Sequence, residues 1–311
     1  MPISLDHLIE ESKHLEVQMA KVDPVDIAYE LLSLGYKPQV VMKLIPLFAL
    51  ESEFDRTKAE NKDWSKRFSG MSNDLANKTY ASAAYKYLGE PSIGLGQFNP
   101  SKHMARIYQA IKHADIPKAD LTIDMPNGDK FFIDDEVANS HYYNYNPFKS
   151  PEYHNTTPAI IASLRRGIAK MPLQNQLLLF DQMLRDQIEI ENGDMDTALR
   201  NLYYHSMNKI DNWNQYQSGN DNYKGFKYKT SREGYEGSGQ FQHATDAYSL
   251  IDNNPYGVMQ KAMNKIKIEG PSDIQRNTNN LKRDSYKKYT QLESGQNNAD
   301  FFKYLTYWSQ L

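Results

Sequence analysis

The sequence contains no cysteine, so a disulfide framework and a thiolate metal site are both excluded. This absence leaves oxidising and reducing compartments equally open. The sequence also has no apolar run that approaches the roughly 18 residues of a membrane-spanning helix, and we predict no membrane span. A chain of 311 residues with 40% apolar side chains is long enough to fold around a sizeable core of its own.

The chain has little net charge of either sign. The formal net charge is -3 and the pI is near 6.3, so nothing attracts the whole chain to nucleic acid or to anionic lipid. The first residues, MPISLDHLIEESKHLE, lack the basic region and the apolar core of a signal peptide. We expect no nucleic-acid partner and no export by the general secretory route.

Tyrosine, in contrast, is abundant. The 22 tyrosines exceed what a core requires, and many stand in Asn-rich surroundings. Surfaces rich in Tyr and Asn are typical of sugar-binding proteins, and equally of structural proteins with large interfaces. The composition leaves both classes open.

The chain is organised around an apolar segment, VVMKLIPLFALESEF, which runs from Val40 to Phe54. Val40, Leu44, Leu47 and Phe54 recur at spacings of four, three and seven, which predicts a buried helix with these side chains on one face. Glu51 lies on the same face near the helix end. A carboxylate desolvated on its inner side holds its proton more tightly and becomes a usable proton donor. Alternatively, Glu51 marks the point where the helix reaches solvent.

Start and stop signals predict further helices, so the expected fold class is mainly α. Asp23 is placed to cap a helix that begins at Pro24 and ends near Gly35, and Asp196 is placed to cap a later one. Residues 217–242 show no clear period and are predicted to be irregular. The other predicted helices cover residues 101–113, 157–170, 173–190, 245–252, 256–268 and 299–311.

One segment predicts strands. LTIDMPNGDKFFI alternates apolar and polar residues on both sides of Asn127-Gly128, the strongest local signal for a tight β-hairpin. His141 and His154 follow in a loop rich in Tyr, Asn and Pro. Nothing fixes a third metal ligand beside these histidines, so we predict neither a metal nor a cofactor.

The segment SIGLGQFNP is an apolar strip that begins at Ser92 and is interrupted by glycine. Gly94 and Gly96 bracket Leu95, which indicates that the backbone approaches another group closely. Gln97 follows in a position that we expect to be buried.

Three segments, taken in order, carry a further signal. The first is Glu51-Ser52-x-Phe54 at the end of the apolar helix, and the second is Ser92-Ile93-Gly94-Leu95-Gly96-Gln97. The third is GDMDTALRNLYYHSMNKIDNW, in which the matching residues are Gly193, Asp194, Ala198, Leu199, Tyr203, Ile210 and Trp213. Together they resemble the motifs of soluble lytic transglycosylase-like domains, whose fold is also found in goose-type lysozyme. Three ordered matches are much more specific than any one alone.

The third segment departs from the family pattern. Tyr204, His205 and Ser206 stand where the family has Asn, Ala and Gly. The usual hydrogen bond from the Asn is therefore missing, and Tyr204 is expected to serve instead as a stacking platform for a pyranose ring.

The resemblance covers residues 36–216 and implies a lysozyme-like α+β fold, in which a helical core surrounds a central buried helix beside one small β-hairpin. Inserts relative to a minimal family domain are expected at 55–91 and 114–157. An N-terminal helical segment at 1–35 and a C-terminal extension at 217–311, irregular and then helical, complete the predicted organisation.

The resemblance also implies an activity, lytic cleavage of the MurNAc-GlcNAc β-1,4 bond of peptidoglycan. A protonated Glu51 delivers a proton to the leaving oxygen. The ionised Glu51 then takes a proton from the sugar's own 6-hydroxyl, and the product closes into a 1,6-anhydro ring. Tyr203 is expected to hydrogen-bond Glu51 and orient it. The substrate-binding residues that the resemblance implies are Ser52, Ser92, Gly94, Leu95, Gln97 and Tyr204.

Three alternatives stay open. A lysozyme-type hydrolase needs a positioned water and usually a second carboxylate, and the candidates for that carboxylate are Glu53, Asp55, Glu60, Asp63 and Asp74. A protein that keeps the fold without the activity would be a binding or structural component. A helical assembly protein unrelated to lysozymes would carry the motifs by chance.

Peptidoglycan lies outside the cytoplasm, which bears on where the protein acts. We expect a bacteriophage virion protein that acts in the host periplasm and cell wall, or a protein exported by a dedicated secretion machine. The N- and C-terminal segments would then bind other proteins of the virion or of that machine.

Overall fold

The computed structural model describes residues 20–58, 92–100, 103–124, 130–135, 156–220, 222–224 and 231–274. Within these residues the protein is mainly helical, which confirms the predicted fold class. The helices, in chain order, are α1 (Pro24–Ser33), α2 (Pro38–Ser52), α3 (Met104–His113), α4 (Lys118–Leu121), α5 (Thr156–Lys170), α6 (Leu173–Ile190), α7 (Met195–Gln217), α8 (Arg232–Glu236), α9 (Gly239–Ser249) and α10 (Pro255–Glu269). Two short strands, β1 (Ile123–Asp124) and β2 (Lys130–Phe131), pair antiparallel.

Several predictions concern residues outside these ranges. They are the segment before residue 20, most of the insert at 55–91 with Glu60, Asp63 and Asp74, the Asn127-Gly128 turn itself, His141 and His154, and the helix at 299–311.

Helix α1 begins and ends where its local signals predict. Asp23 caps it, with its Oδ1 accepting a 2.8 Å hydrogen bond from the Val25 N–H, and Pro24 occupies the first helical position. The chain leaves the helix at Gly35, which has a left-handed φ of +89°.

Helix α2 is the predicted central helix, and every residue from Leu44 to Leu50 is buried. The spacing predicts that Phe54 belongs to it, and this prediction is wrong. The helix ends at Ser52, and Glu53 and Phe54 have positive φ angles of 53° and 62°. Phe54 is still only 3% exposed, so it reaches the core from a turn.

Helix α7 is capped by Asp194, not by Asp196 as predicted. Asp194 accepts hydrogen bonds from the Thr197 N–H at 3.1 Å and from the Thr197 Oγ1 at 2.7 Å. Asp196 lies inside the first turn and forms an exposed 2.7 Å ion pair with Lys43. A cap residue must have extended backbone, and Asp194 has it (φ -79°, ψ 100°).

The predicted hairpin strands are present, with Ile123 opposite Phe131. Ser163 of α5 fastens this region, because its buried Oγ accepts a 3.0 Å hydrogen bond from the Ile133 N–H and donates a 2.8 Å bond to the Leu121 carbonyl. Helix α5 also packs against α3 and α4.

The chain forms two compact units, and the divisions fall just before α1, inside α2 and inside α6. The first unit contains residues 1–22 and 51–180, and the second contains residues 23–50 and 181–311. The domain boundaries predicted from the sequence stay a prediction.

In the second unit, an early helix and a late helix pack together: α1 lies against α10. Tyr29 Oη donates a 2.9 Å hydrogen bond to the Gly270 carbonyl, and Lys265 Nζ lies 2.8 Å from Asp26 Oδ1. Ile27 and Ala262 are fully buried.

The prediction for residues 217–252 is wrong in part, because two helices, α8 and α9, lie there with other limits than predicted. Ser231 and Ser238 cap them through their Oγ atoms, so helical structure begins within the segment predicted to be irregular. Helix α9 starts at Gly239 and ends at Ser249, instead of running from Thr245 to Asp252. An aromatic cluster packs α8 and α9 against α7; its members are Trp213, Tyr216, Tyr223, Tyr235, Phe241 and Tyr248.

Among the helices described here, none combines the length and the apolar character needed to cross a membrane.

Candidate functional site

Glu51 stands in the last turn of α2, where the buried helix reaches the surface. Leu47, Phe48 and Ala49 before it are fully buried, and so is Ser52 after it. Glu51 itself is half-buried. One part of the glutamate side chain is therefore covered by protein and another part is open to solvent.

The chain that follows Glu51 makes a turn held by backbone hydrogen bonds. The Val22 N–H donates to the Phe54 carbonyl, and the Arg56 N–H donates to the Ala20 carbonyl, both at 2.9 Å. These two bonds flank a single antiparallel bridge. The backbone next to the carboxylate consequently has a fixed course.

Two carboxylates in this turn have partners of their own. Asp55 Oδ1 accepts 2.8 Å hydrogen bonds from the N–H and the Oγ1 of Thr57. The Glu53 carboxylate is ion-paired with Lys58 Nζ in a partly exposed position. These are the described candidates for the second carboxylate of a hydrolase, and both are engaged within the turn.

Residues 92–98 form a narrow turn, which we call the Gly94 turn. Ile93 and Phe98 pair across it through two hydrogen bonds of 3.0 and 2.9 Å. The Gln97 N–H donates to the Gly94 carbonyl at 3.0 Å and closes the turn. Gly94 has a φ of +87°, which glycine adopts without strain.

The Gly94 turn is hydrogen-bonded to the chain that follows Glu51. The Gly94 N–H donates to the Lys58 carbonyl at 3.0 Å, and Gln97 Nε2 donates to the same carbonyl at 2.8 Å. The second predicted motif is therefore bonded to the chain four residues after the end of the first motif, and both lie in the first unit.

Gln176 of α6 binds both segments. Its side chain is fully buried, its Oε1 accepts a 2.9 Å hydrogen bond from the Leu95 N–H, and its Nε2 donates to the Arg56 carbonyl at 3.0 Å. The same Nε2 donates to the Ile168 carbonyl at 2.8 Å. One amide side chain therefore satisfies three backbone groups that would otherwise be buried without partners.

Arg56 adds a further link in the first unit. Its guanidinium donates a 2.8 Å hydrogen bond to the Met171 carbonyl, between α5 and α6. Burial lowers the pKa of the Arg56 guanidinium from its usual value, with the nearby Asp55 charge opposing that change. An arginine nevertheless stays charged in proteins, so this contact is a charge-assisted bond.

The close backbone approach predicted at Gly94 is made to the protein's own side chains. A Cβ at this position would lie 2.8 Å from Ile168 Cγ2 and 3.0 Å from Gln176 Oε1. The glycine is therefore needed for packing as well as for its left-handed backbone.

The predicted substrate-binding residues differ in how much of each is exposed. Ser92, Gly94 and Leu95 are buried, and Gln97 is half-buried instead of buried as expected. Gln97 Nε2 donates to two carbonyls, those of Lys58 and Gly94. Its Oε1 accepts no hydrogen bond from the described residues, which leaves this oxygen available to a ligand.

Tyr203 and Tyr204 lie on α7 in the second unit, whereas the other predicted site residues lie in the first unit. Tyr203 is buried, and its backbone is non-helical (φ -133°, ψ 45°), so α7 is kinked there. Tyr204 is 59% exposed, and its ring meets the His205 ring edge-on at 5.5 Å. Tyr203 is thus covered by protein at the kink, and the next residue, Tyr204, is open to solvent.

Sequence reasoning missed Gln176 and the kink at Tyr203. Gln176 occurs four residues before Phe180, on the buried stripe of an apolar helix. A polar residue on such a stripe needs a buried partner, and this signal would have found it. The kink has no comparable signal, because α7 contains neither proline nor glycine.

The described residues contain no group of three or more His, Asp or Glu side chains that is arranged to hold a metal ion.

No family model matches the chain, and neither a curated protein nor a solved structure matches it.

Proposed function

We propose that this protein is a lytic transglycosylase that cleaves the glycan strands of peptidoglycan. One observation carries the proposal. Inside the first unit, a half-buried glutamate stands in the last turn of a buried helix, and the turn that bears Gln97 is hydrogen-bonded to Lys58, seven residues after this glutamate. Burial from one side suits Glu51 to carry a proton, and the neighbouring turn offers Gln97 Oε1 to a sugar.

In the proposed reaction, Glu51 acts as acid and then as base. The protonated carboxyl group donates to the oxygen of the β-1,4 bond while positive charge develops at the anomeric carbon. The N-acetyl carbonyl of the same sugar stabilises that carbon, so a second carboxylate is not required. The ionised Glu51 then accepts the proton of the 6-hydroxyl, whose oxygen closes the 1,6-anhydro ring.

Among the candidate carboxylates that the structure describes, the engagement of Glu53 and Asp55 favours this reaction over hydrolysis. A hydrolase needs a carboxylate free to hold a water, and the two described candidates are bound to Lys58 and Thr57. In the proposed site, Gln97 binds the sugar through its Oε1, and the buried Ser52 follows the glutamate directly in the chain.

The experiment is digestion of purified sacculi, followed by mass spectrometry of the soluble products. The wild-type protein is expected to release anhydro products, which are lighter by one water than hydrolysed ones. Glu51→Gln is expected to lose about 10²- to 10⁴-fold in rate, the usual contribution of a general acid.

Glu53→Gln is the matched control, since it removes a neighbouring carboxylate that the proposed reaction does not use. Its activity should stay near that of the wild type. Products that contain the added water would show a hydrolase. A folded wild-type protein with no activity between pH 5 and 8 would overturn the enzymatic proposal.

A second candidate is a lysozyme-fold binding or structural protein without activity. The observation that favours it is the substitution of the third motif by Tyr204, His205 and Ser206. Such a protein would sediment with sacculi and release nothing from them. Tyr204→Ala would weaken that sedimentation, because the exposed ring would be lost.

The setting proposed from the sequence is a phage virion or a dedicated secretion system, with other proteins of that assembly as partners. Mass spectrometry of purified particles, searched for peptides of this chain, tests this setting directly.

A further inference from the structure

We infer that Gln176 is a positioning residue, which orients the Gln97 side chain through the peptide unit between Gly94 and Leu95. This inference rests on the proposed function, because it assigns a role to Gln176 in the site that contains Gln97 and Glu51.

The orientation of the Gln176 amide is determined by its partners. The Leu95 N–H can only donate, so the atom that faces it at 2.9 Å must be Oε1. The carbonyls of Arg56 and Ile168 can only accept, so they face Nε2 at 3.0 and 2.8 Å. Both N–H bonds of the amide and one lone pair of its oxygen are used, and the side chain is fully buried.

A single planar group connects Gln176 to Gln97. The Gly94 carbonyl and the Leu95 N–H belong to one peptide unit, which is planar and points the two groups in opposite directions. Gln176 Oε1 binds the N–H side of this unit at 2.9 Å. The carbonyl side accepts the Gln97 N–H at 3.0 Å and Gln97 Nε2 at 3.0 Å. Fixing the N–H direction therefore fixes the direction of the carbonyl that holds the Gln97 amide.

Gln176 also binds the segment that contains the second acceptor of the Gln97 amide. Gln97 Nε2 also donates to the Lys58 carbonyl, and Lys58 lies two residues after Arg56, whose carbonyl Gln176 binds. Both acceptors of the Gln97 amide thus belong to segments that one buried amide on α6 aligns. With its Nε2 held in this way, Gln97 presents its Oε1 in one direction.

The first test is a double-mutant cycle on glycan strands of defined length. Gln176→Met keeps the length of the side chain and removes its three hydrogen bonds. We expect a loss of about 10- to 100-fold in kcat/KM, the size of effect produced by a displaced substrate-positioning group. In a Gln97→Ala background, the same substitution should change kcat/KM by less than about twofold, because the group that Gln176 orients is already absent.

Gln187→Met is the control, since it makes the same change elsewhere on α6 and removes a hydrogen bond to Glu191. Its kcat/KM should equal that of the wild type. An equal loss from Gln176→Met in both backgrounds would overturn the inference, because it would show a structural effect that does not act through Gln97. If Gln176→Met does not fold, Gln176→Asn enters the same cycle, since it keeps an amide and withdraws it by one methylene.

The second test does not depend on activity. In nuclear magnetic resonance spectra, Gln176→Met should shift both the Leu95 backbone amide and the Gln97 side-chain amide. A shift at Leu95 with an unchanged Gln97 side chain would overturn the inference. If the wild-type protein cleaves no glycan, the proposed function fails, and these two resonances decide the orienting role alone.

Discussion

Arg200 Nη2 and Asp211 Oδ2 form a 2.7 Å ion pair, although eleven positions separate the two residues on α7. In a straight helix, residues eleven apart are separated by about 16 Å along the axis, more than these two side chains span together. The pair closes because Tyr203 has non-helical backbone angles between them. We infer that the ion pair stabilises the kink at Tyr203.

The kink can be measured with two spin labels, because the chain has no cysteine of its own. Labels at Asn201→Cys and Gln217→Cys would be about 24 Å apart along a straight helix. We expect a shorter distance in the wild-type background and a longer one with Arg200→Gln. Lys224→Gln is the control, since it removes the other cation bound to Asp211, at 3.0 Å, and leaves the pair across the kink. An unchanged distance in Arg200→Gln would show that packing alone holds the kink.

Gly94→Ala should be more destabilising than Gly35→Ala. Both glycines have a φ near +90° (87° and 89°), so each substitution carries a similar backbone cost of about 1–2 kcal/mol. A Cβ at Gly35 meets nothing within 4 Å, whereas one at Gly94 collides with Ile168 and Gln176. The overpacking should add about 1–3 kcal/mol, measurable by urea denaturation. Equal losses for the two variants would contradict the close packing at Gly94.

Tyr36 is expected to make stability depend on alkaline pH. Its Oη donates a 2.9 Å hydrogen bond to the buried Asp181 Oδ1, which also accepts one from Arg185. Burial and then the Asp181 charge raise the pKa of Tyr36 well above 10.0. The unfolded chain releases this proton near pH 10 and the folded protein retains it. The contribution of Tyr36 is therefore complete below pH 10 and is lost as the pH rises further.

Tyr36→Phe tests this contribution. At neutral pH it should lower the free energy of unfolding by about 1.5–3 kcal/mol, the usual value for a hydrogen bond to a charged group. The difference from the wild type should shrink as the pH rises above 10. Tyr256→Phe, at a 53% exposed tyrosine, should change stability little at any pH. A difference between Tyr36→Phe and the wild type that stays constant up to pH 12 would contradict the raised pKa.

Asp194→Ala should lower the melting temperature more than Asp196→Ala. Asp194 caps α7 through Thr197, whereas Asp196 contributes only an exposed ion pair to Lys43. The hydrogen bonds from Thr197 also lower the pKa of Asp194. Its contribution is therefore present above the pKa of the unfolded chain and is lost as the pH falls through the lower folded value. Thermal melts at pH 7 and pH 3 check both statements, and a larger effect of Asp196→Ala at pH 7 would reverse the capping assignment.

The features predicted correctly from the sequence depend on neighbouring residues. The limits of α1 follow from Asp23, Pro24 and Gly35, and α6 occupies the predicted range because its apolar spacing is continuous. Asp196 has a side chain suited to capping, but the extended backbone of the cap occurs two residues earlier, at Asp194. Local signals therefore identify most helices and leave their ends uncertain by a few residues.

The features that sequence reasoning missed depend on contacts between distant segments. Phe54 leaves the helix because its backbone pairs with Val22, and Gln176 is buried because three backbone groups from separate segments converge on it. The kink at Tyr203 is bridged by the ion pair between Arg200 and Asp211, and no short window of sequence reveals that pair. The motif residues could be found in the sequence, whereas the hydrogen bonds that position them could not.

The packing of α1 against α10 has a consequence for folding during synthesis. Residues 51–180 of the first unit are all made before α10, so this unit can collapse while the ribosome is still translating. Helix α1 emerges earlier, yet its apolar face has to wait for a partner encoded more than 200 positions later, as the contact between Tyr29 and Gly270 shows. Until then that face is exposed, so a nascent chain halted before α10 would be a natural client for chaperones.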